Sequence, residues 1–179
     1  MLELCSIRTV TEKDLPMLLA WRNHPEVRQF MFTHHEISRE EHLKWYASAS
    51  QDTRRQLLIV QEADTAIGYV QFNHVTSGGI SDWGFYKCPD APKGSGNKLG
   101  QMALTHAFST LQLHKVCGQA IETNEASVAF HRHLGFQQEG ILRDQHHDNG
   151  QYHSVVCFGL LASEWIGTGL NKEHSHANH

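Results

Sequence analysis

Residues 93–105, KGSGNKLGQMALT, combine backbone and side-chain types that suit one task, the gripping of a pyrophosphate. Gly94 and Gly96 remove Cβ atoms where a ligand or another backbone must come close. The main-chain N–H groups of Ser95, Gly96, Asn97, Lys98 and Leu99 then fall at a helix start, unpaired within the helix and at its positive dipole end. Lys93 and Lys98 add formal charge beside them. Downstream, Leu99, Met102, Ala103, Ala107 and Phe108 recur at helical spacing, so one face packs inward. The loop is not a P-loop, since no Gly-Lys-Ser/Thr follows. Nor is it a dinucleotide fingerprint, although Gly94, Gly96 and Gly100 approach G-x-G-x-x-G. Taken alone, it fits an ordinary helix start equally well.

Other reactive residues are scattered. Cys5, Cys88, Cys117 and Cys157 show no CxxC spacing and no secretory signal precedes them, so they read as reduced, mostly buried thiols of a cytoplasmic protein. Fifteen histidines include the pairs His34-His35 and His146-His147, but none forms HExxH or a Cys/His zinc pattern, so no metal is expected. A net charge of −4 argues against non-specific nucleic-acid binding, and no run of 18 apolar residues is present to span a membrane. Anionic ligands must therefore be held by local features.

The elements that position these residues follow from period and punctuation. The 179 residues fit one domain, taken as residues 1–167, with a polar, flexible tail over 168–179. Residues 2–9 read as a strand. Thr11 with Asp14 opens a helix running to Trp21-Arg22-Asn23, Pro25 restarts a second to about Phe32, and Ser38 with Glu41 caps a third. The period then changes to strands over 56–60, 66–75 and 80–86. After the central helix come a strand over 114–123, a helix capped by Asn124 and ended by Gly135, and strands 136–143 and 152–161 around the turn Asp148-Asn149-Gly150. Ala162–Ile166 forms a last turn. This order specifies an α/β, or α+β, sheet of mixed direction, with the central helix starting at the C-terminal ends of parallel strands, where ligands usually bind. Trp21, Leu43 and Phe108 read as core.

The order strand, KGSGNKLGQMAL helix, strand HKVCGQAIETN, then NEASVAFHRHLGF, resembles the GCN5-related N-acetyltransferases, GNAT for short. Their Q/R-x-x-G-x-G/A signature falls on Lys93 to Lys98, with Lys93 in place of Gln or Arg and Lys98 in place of Gly or Ala. The resemblance covers residues 1 to about 166. It implies a fold with splayed central parallel strands and acetyl-CoA as co-substrate in the wedge between strands 80–86 and 116–123. Phe85, Tyr86 and Lys87 would pair with the pantetheine arm, and residues 93–99 would take the pyrophosphate. Asn124, Ser127 and Phe130 would lie along the cofactor. Direct attack on the thioester is expected, without a covalent enzyme intermediate.

Trp21-Arg22-Asn23-His24-Pro25-Glu26-Val27, Phe30-Met31-Phe32-Thr33, Glu40-Glu41-His42-x-x-Trp45 and Glu139-Gly140-x-Leu142-Arg143 narrow the resemblance. They are similar to a subgroup of the pseudaminic-acid pathway that acetylates a UDP-linked 4-amino-4,6-dideoxy-N-acetyl-altrosamine, which is associated with flagellin glycosylation. Under that reading, Arg22, His42 and His74 are the candidate cations for the diphosphate. Met31, Phe32, Trp45 and Trp83 are candidate apolar walls, and Gln71 and Asn73 candidates for sugar hydroxyls.

Acetyl transfer requires a neutral amine, a polarised carbonyl and a protonated leaving thiolate. The family's tyrosine seven residues after the asparagine is His131 here. It is either the proton donor or a packing residue, with Tyr86, Tyr69 and Tyr152 as other donors. Glu122 is either a base acting through water or a surface carboxylate. Ribosomal-protein N-terminal acetylation and a catalytically silent acetyl-CoA sensor are the competing functions. A homodimer is left open.

Overall fold

The computed structural model describes residues 2–165. The expected tail over 168–179, and Ile166 in the expected last turn, lie outside the described residues. Seven strands form one sheet in the order β1-β2-β3-β4-β5-β7-β6. They are β1 (Cys5–Thr9), β2 (Gln56–Glu62), β3 (Thr65–Asn73), β4 (Ile80–Lys87), β5 (Lys115–Ile121), β6 (Gln137–Asp148) and β7 (Gln151–Leu161). Every neighbouring pair is antiparallel except β4–β5. The helices are α1 (Leu15–Asn23), α2 (Pro25–Arg28), α3 (Arg39–Ala49), α4 (Ser95–Thr105) and α5 (Glu125–His133).

Strand alternation builds two cores, because successive side chains point to opposite faces. Leu57 and Ile59 of β2, Tyr69 of β3 and Tyr86 of β4 pack with Leu15, Leu18 and Trp21 of α1 and Ala49 of α3. The intervening Leu58, Val60, Val70, Phe72 and Trp83 pack with Leu99, Ala103 and Leu104 of α4 and with Leu134 and Phe136 after α5. The central strands are thus buried on both faces, with α1 and α3 on one and α4 and α5 on the other, while the edge strand β6 is largely exposed. Trp21 and Phe108 pack as expected. Leu43 does not: it is 43% exposed on the outer side of α3.

Capping chemistry fixes the helix starts. The Asp14 carboxylate accepts from the Thr11 amide at 2.7 Å and from both Arg8 guanidinium nitrogens at 2.7 and 2.8 Å. The Arg8 hydrogen bonds lower its pKa to about 2. Ser38 Oγ accepts from the Glu41 amide at 3.1 Å, but the Glu41 carboxylate turns to His35 instead of completing the capping box. The turn at Asn149 and Gly150 has φ of 47° and 75°, as a two-residue hairpin requires. β6 runs to Asp148, five residues beyond its expected end, with an irregularity between Leu142 and His146 and a positive φ at Asp144 that hide its strand period.

Candidate active site

β4 and β5 pair in parallel only through Ile80↔Lys115, Ser81↔Val116 and Asp82↔Cys117. Beyond that point they diverge, while β4 stays paired to β3 as far as Lys87 and β5 to β7 as far as Ile121. Their facing edges therefore offer unpaired N–H and C=O groups to an extended, amide-bearing ligand. A groove of about 390 Å³ opens from this wedge. It is lined by Phe85, Tyr86 and Lys87 of β4, Gly96 and Leu99 of α4, and Asn124, Ser127 and Phe130 at α5. All eight were expected to bind cofactor. Glu26, Val27, Phe30 and Met31 around α2, with Pro89 and Ala126, complete it, and none of the six was assigned to the cofactor from the sequence.

Both helix starts face this groove. Gly94 sits before α4 at φ 90°, a left-handed conformation that glycine adopts at little cost. Asn124 caps α5, its Oδ1 accepting from the Ser127 amide at 3.2 Å. Fewer amides are free at α4 than the sequence implied. The Ser95 N–H bonds to Pro92 O at 3.1 Å and the Lys98 N–H to Gly94 O at 3.3 Å, and Leu99 lies inside the helical ladder. The N–H groups of Gly96 and Asn97 remain without a backbone partner among the described residues, which still suits a phosphoryl group. Ser95 Oγ is buried without a partner among the described residues.

Lys93 is exposed just before the loop. Lys98 cannot add its charge there, because its ammonium pairs with Glu62 on β2. Gly100 has a packing role: a Cβ there would lie 2.7 Å from Leu134 and 2.8 Å from Phe130, so its absence lets α4 approach α5.

For both catalytic candidates the geometry favours the second of the two readings, packing for His131 and a surface carboxylate for Glu122. His131 is 1% exposed. Its Nδ1 pairs with Ser127 O at 2.8 Å, and its Nε2 accepts from Trp83 Nε1–H at 3.1 Å. The ring stacks on Phe158 at 4.8 Å, and burial pushes its pKa down. Both nitrogens are spent within the protein, so the imidazole is a neutral core group with no proton to lend a thiolate. Gly118 makes room for it: a Cβ there would stand 2.4 Å from His131 Nε2 and 2.7 Å from Trp83 Nε1. Glu122 is exposed at the end of β5, where its carboxylate accepts from the Ser154 amide at 2.9 Å and lines neither cavity.

A second cavity, of about 380 Å³, lies on the opposite face of the sheet beneath α1 and α3. Of the residues expected to bind the acceptor, it gathers Arg22, Met31, His42, Trp45 and Gln71. Thr33, Ile37, Glu41, Tyr69, Gly84, Phe85 and Tyr86 complete it. Met31, Phe85 and Tyr86 are common to both cavities, so the two meet along β4. Arg22 is half-buried. One terminal nitrogen donates to Thr33 O at 2.9 Å, while Nη1 is buried with no partner among the described residues. His42 stacks on Trp45 at 5.2 Å. Burial, and then Arg22, lower its pKa, so it is neutral near pH 7 and not the diphosphate cation expected. The Tyr86 hydroxyl makes no hydrogen bond among the described residues, and burial raises its pKa well above the usual phenol range.

Four acceptor assignments fall outside this cavity. Trp83 points to the other face, into the aromatic core with Phe85, Phe130 and Phe136. Phe32 is exposed and rests edge-on against His146 at 5.5 Å. His74 is exposed at a positive φ of 59°, beyond the end of β3. Asn73 reaches the cavity only through Gln71. The alternation of β4 decides Trp83, and strand register is needed to read it; His74 and Asn73 fall outside because β3 ends there. Among the described residues, no group of three His, Cys, Asp or Glu side chains is placed to hold a metal, and no helix is long and apolar enough to cross a membrane.

Residues 5–137 match the model of an acetyltransferase (GNAT) domain. The acetyltransferase PseH of Campylobacter jejuni is 27% identical over 136 residues, 76% of this chain and 85% of that protein. The putative ribosomal N-acetyltransferase YdaF of Bacillus subtilis is 41% identical over 64 residues, 36% of this chain and 35% of that protein. The crystal structure of spermidine N-acetyltransferase from Vibrio cholerae, in complex with CoA and spermine, superposes with a TM-score of 0.82 at 24% identity, covering 90% of this chain and 97% of that one. That likeness carries the fold. With a splayed β4–β5 pair, an amide-lined α4 start and a match over most of the chain, the protein belongs to the GNAT acetyltransferase family, as an N-acetyltransferase that takes its acyl group from acetyl-CoA.

Proposed function

We propose that the chain transfers acetyl from acetyl-CoA to the 4-amino group of a UDP-linked 4-amino-4,6-dideoxy-N-acetyl-altrosamine, by direct attack in a ternary complex. One observation carries this reading. Among the described residues, Arg22 Nη1 is buried without a partner in the cavity that adjoins the cofactor groove. A buried guanidinium nitrogen left unpaired is costly, and a diphosphate oxygen relieves that cost. The only carboxylate in the cavity, Glu41, is taken up by His35 at 2.9 and 3.1 Å, which leaves little to attract a polyamine. Met31 and Trp45 supply apolar surface for a base. The PseH likeness supports the same subgroup.

Bound acetyl-CoA would supply the activated acyl carbon; as the amine N–C bond forms and the C–S bond breaks, CoA would depart as the thiolate. The residues then divide the work. Gly96 and Asn97 amides hold phosphoryl oxygens, and the open β4 edge at Phe85–Lys87 aligns the pantetheine arm and polarises the carbonyl. His42, held neutral within the acceptor cavity, accepts the proton shed by the attacking amine. Tyr86, protonated and lining both cavities, donates a hydrogen bond to the leaving thiolate, which takes its proton from solvent on release.

Incubation with acetyl-CoA and a UDP-4-amino sugar should release free thiol. The YdaF likeness favours a second reading, acetylation of a protein N-terminus. Brisk acetylation of an N-terminal peptide with no thiol release from the sugar nucleotide would establish that reading instead. Acetyl-CoA binding with no turnover on any amine would mark a silent sensor.

A further inference from the structure

On β3, the alternate residues Tyr69, Gln71 and Asn73 share one face and form a chain of side-chain hydrogen bonds that the transfer chemistry does not use. The Tyr69 hydroxyl donates to Gln71 Oε1 at 2.7 Å, and Gln71 Nε2 donates to Asn73 Oδ1 at 2.7 Å. The chain has a direction. It engages one lone pair of Gln71 Oε1 and one N–H of its amide, and so fixes the orientation in which the second N–H stays free to donate. Tyr69 and Gln71 line the acceptor cavity, as does Arg22, whose guanidinium can only donate. Tyr69 is itself fixed. It is 4% exposed, lies at 4.8 Å from the ring of Tyr86 and meets Trp45 edge-on at 6.3 Å. The phenol therefore has little freedom to swing, and the amide it holds has little freedom to flip.

We propose that Tyr69 is a positioning residue for acceptor recognition: by donating to Gln71 Oε1 it fixes a wall of N–H donors that takes acceptor-rich anionic groups and refuses polyamines. The inference rests on the nucleotide-sugar reading above and deepens it. A nucleoside diphosphate offers oxygen acceptors to Arg22 and Gln71. A polyamine offers only N–H donors and meets this wall donor to donor, a mismatch that discriminates strongly in a half-buried site.

Calorimetry with UDP and with spermidine, on wild type, Tyr69→Phe and Gln71→Glu, tests the proposal. Tyr69→Phe keeps the ring contacts and removes only the hydroxyl. UDP should bind wild type, bind Tyr69→Phe about fivefold more weakly, and bind Gln71→Glu at least about 30-fold more weakly. In turnover, Tyr69→Phe should raise KM for the sugar nucleotide about fivefold, with kcat and the KM for acetyl-CoA within about twofold. Equal UDP affinity for wild type and Tyr69→Phe would remove the role of Tyr69 and leave the nucleotide-sugar reading standing. Spermidine binding to wild type in place of UDP would overturn both.

Discussion

The two cavities are built from different materials. The cofactor groove is made of main-chain groups, two helix starts and a parted strand pair, with glycines at the points of close approach. The acceptor cavity is made of side chains, Arg22, His42, Trp45, Tyr69 and Gln71, drawn from three elements far apart in sequence. A ligand held mainly by backbone amides tolerates changes in side chain. A ligand held by a guanidinium and an oriented amide does not. The groove can therefore serve a whole family, while the cavity sets what one member acetylates.

The sharpest break between them comes from Arg22→Ala. It should raise KM for the sugar nucleotide about 30- to 100-fold and leave the KM for acetyl-CoA unchanged. An equal rise in both would show that the two cavities act as one.

His131→Gln comes next, and it reads stability. It should cost about 1–3 kcal/mol in denaturant unfolding, because it disturbs a buried ring hydrogen-bonded on both sides, without altering the shape of the pH–rate profile. Loss of a limb of that profile would return His131 to the chemistry. The same burial has a pH consequence. The folded pKa values of His42, His106 and His131 lie below their unfolded values. Their contribution is therefore complete above pH 6.5 and declines as acid protonates the unfolded chain preferentially. The thermal midpoint should fall between pH 7 and 5, with a shallower fall in His131→Gln.

Gly94→Ala should act on the other side of the comparison. Its φ of 90° strains any Cβ, although no neighbour would be struck. A loss of about 1 kcal/mol in stability and an approximately fivefold rise in the KM for acetyl-CoA are expected, with acceptor KM unchanged. Glu122→Gln should change kcat/KM by less than about twofold, since the carboxylate caps a β7 amide outside both cavities.

The same contrast explains what the sequence disclosed. Asn124, Gly135, Ser38 and the Asp148-Asn149-Gly150 turn act through local geometry, and each stands where its pattern placed it. The groove was legible for the same reason, since Gly96, Leu99, Asn124, Ser127 and Phe130 lie on two local motifs, while Phe85, Tyr86 and Lys87 were reached through the family resemblance. The acceptor cavity was legible only in part. Arg22, His42 and Trp45 were recognisable, but Trp83 and Gln71 differ by which face of the sheet they occupy, and that depends on register. His131 was left open between donor and packing residue because its partner Trp83 lies 48 residues away and the space it fills exists only because Gly118 has no side chain. Lys98 was misread because Glu62, on a strand three elements earlier, claims its charge.

One segment belongs to both cavities. Met31, on the stretch between α2 and α3, forms part of each wall, as do Phe85 and Tyr86 beneath it. Whatever settles first in the groove shapes the surface that the second molecule encounters. Substrates should accordingly join in compulsory sequence, and a compound tethering CoA covalently to the sugar nucleotide would span the seam and hold far more tightly than either half.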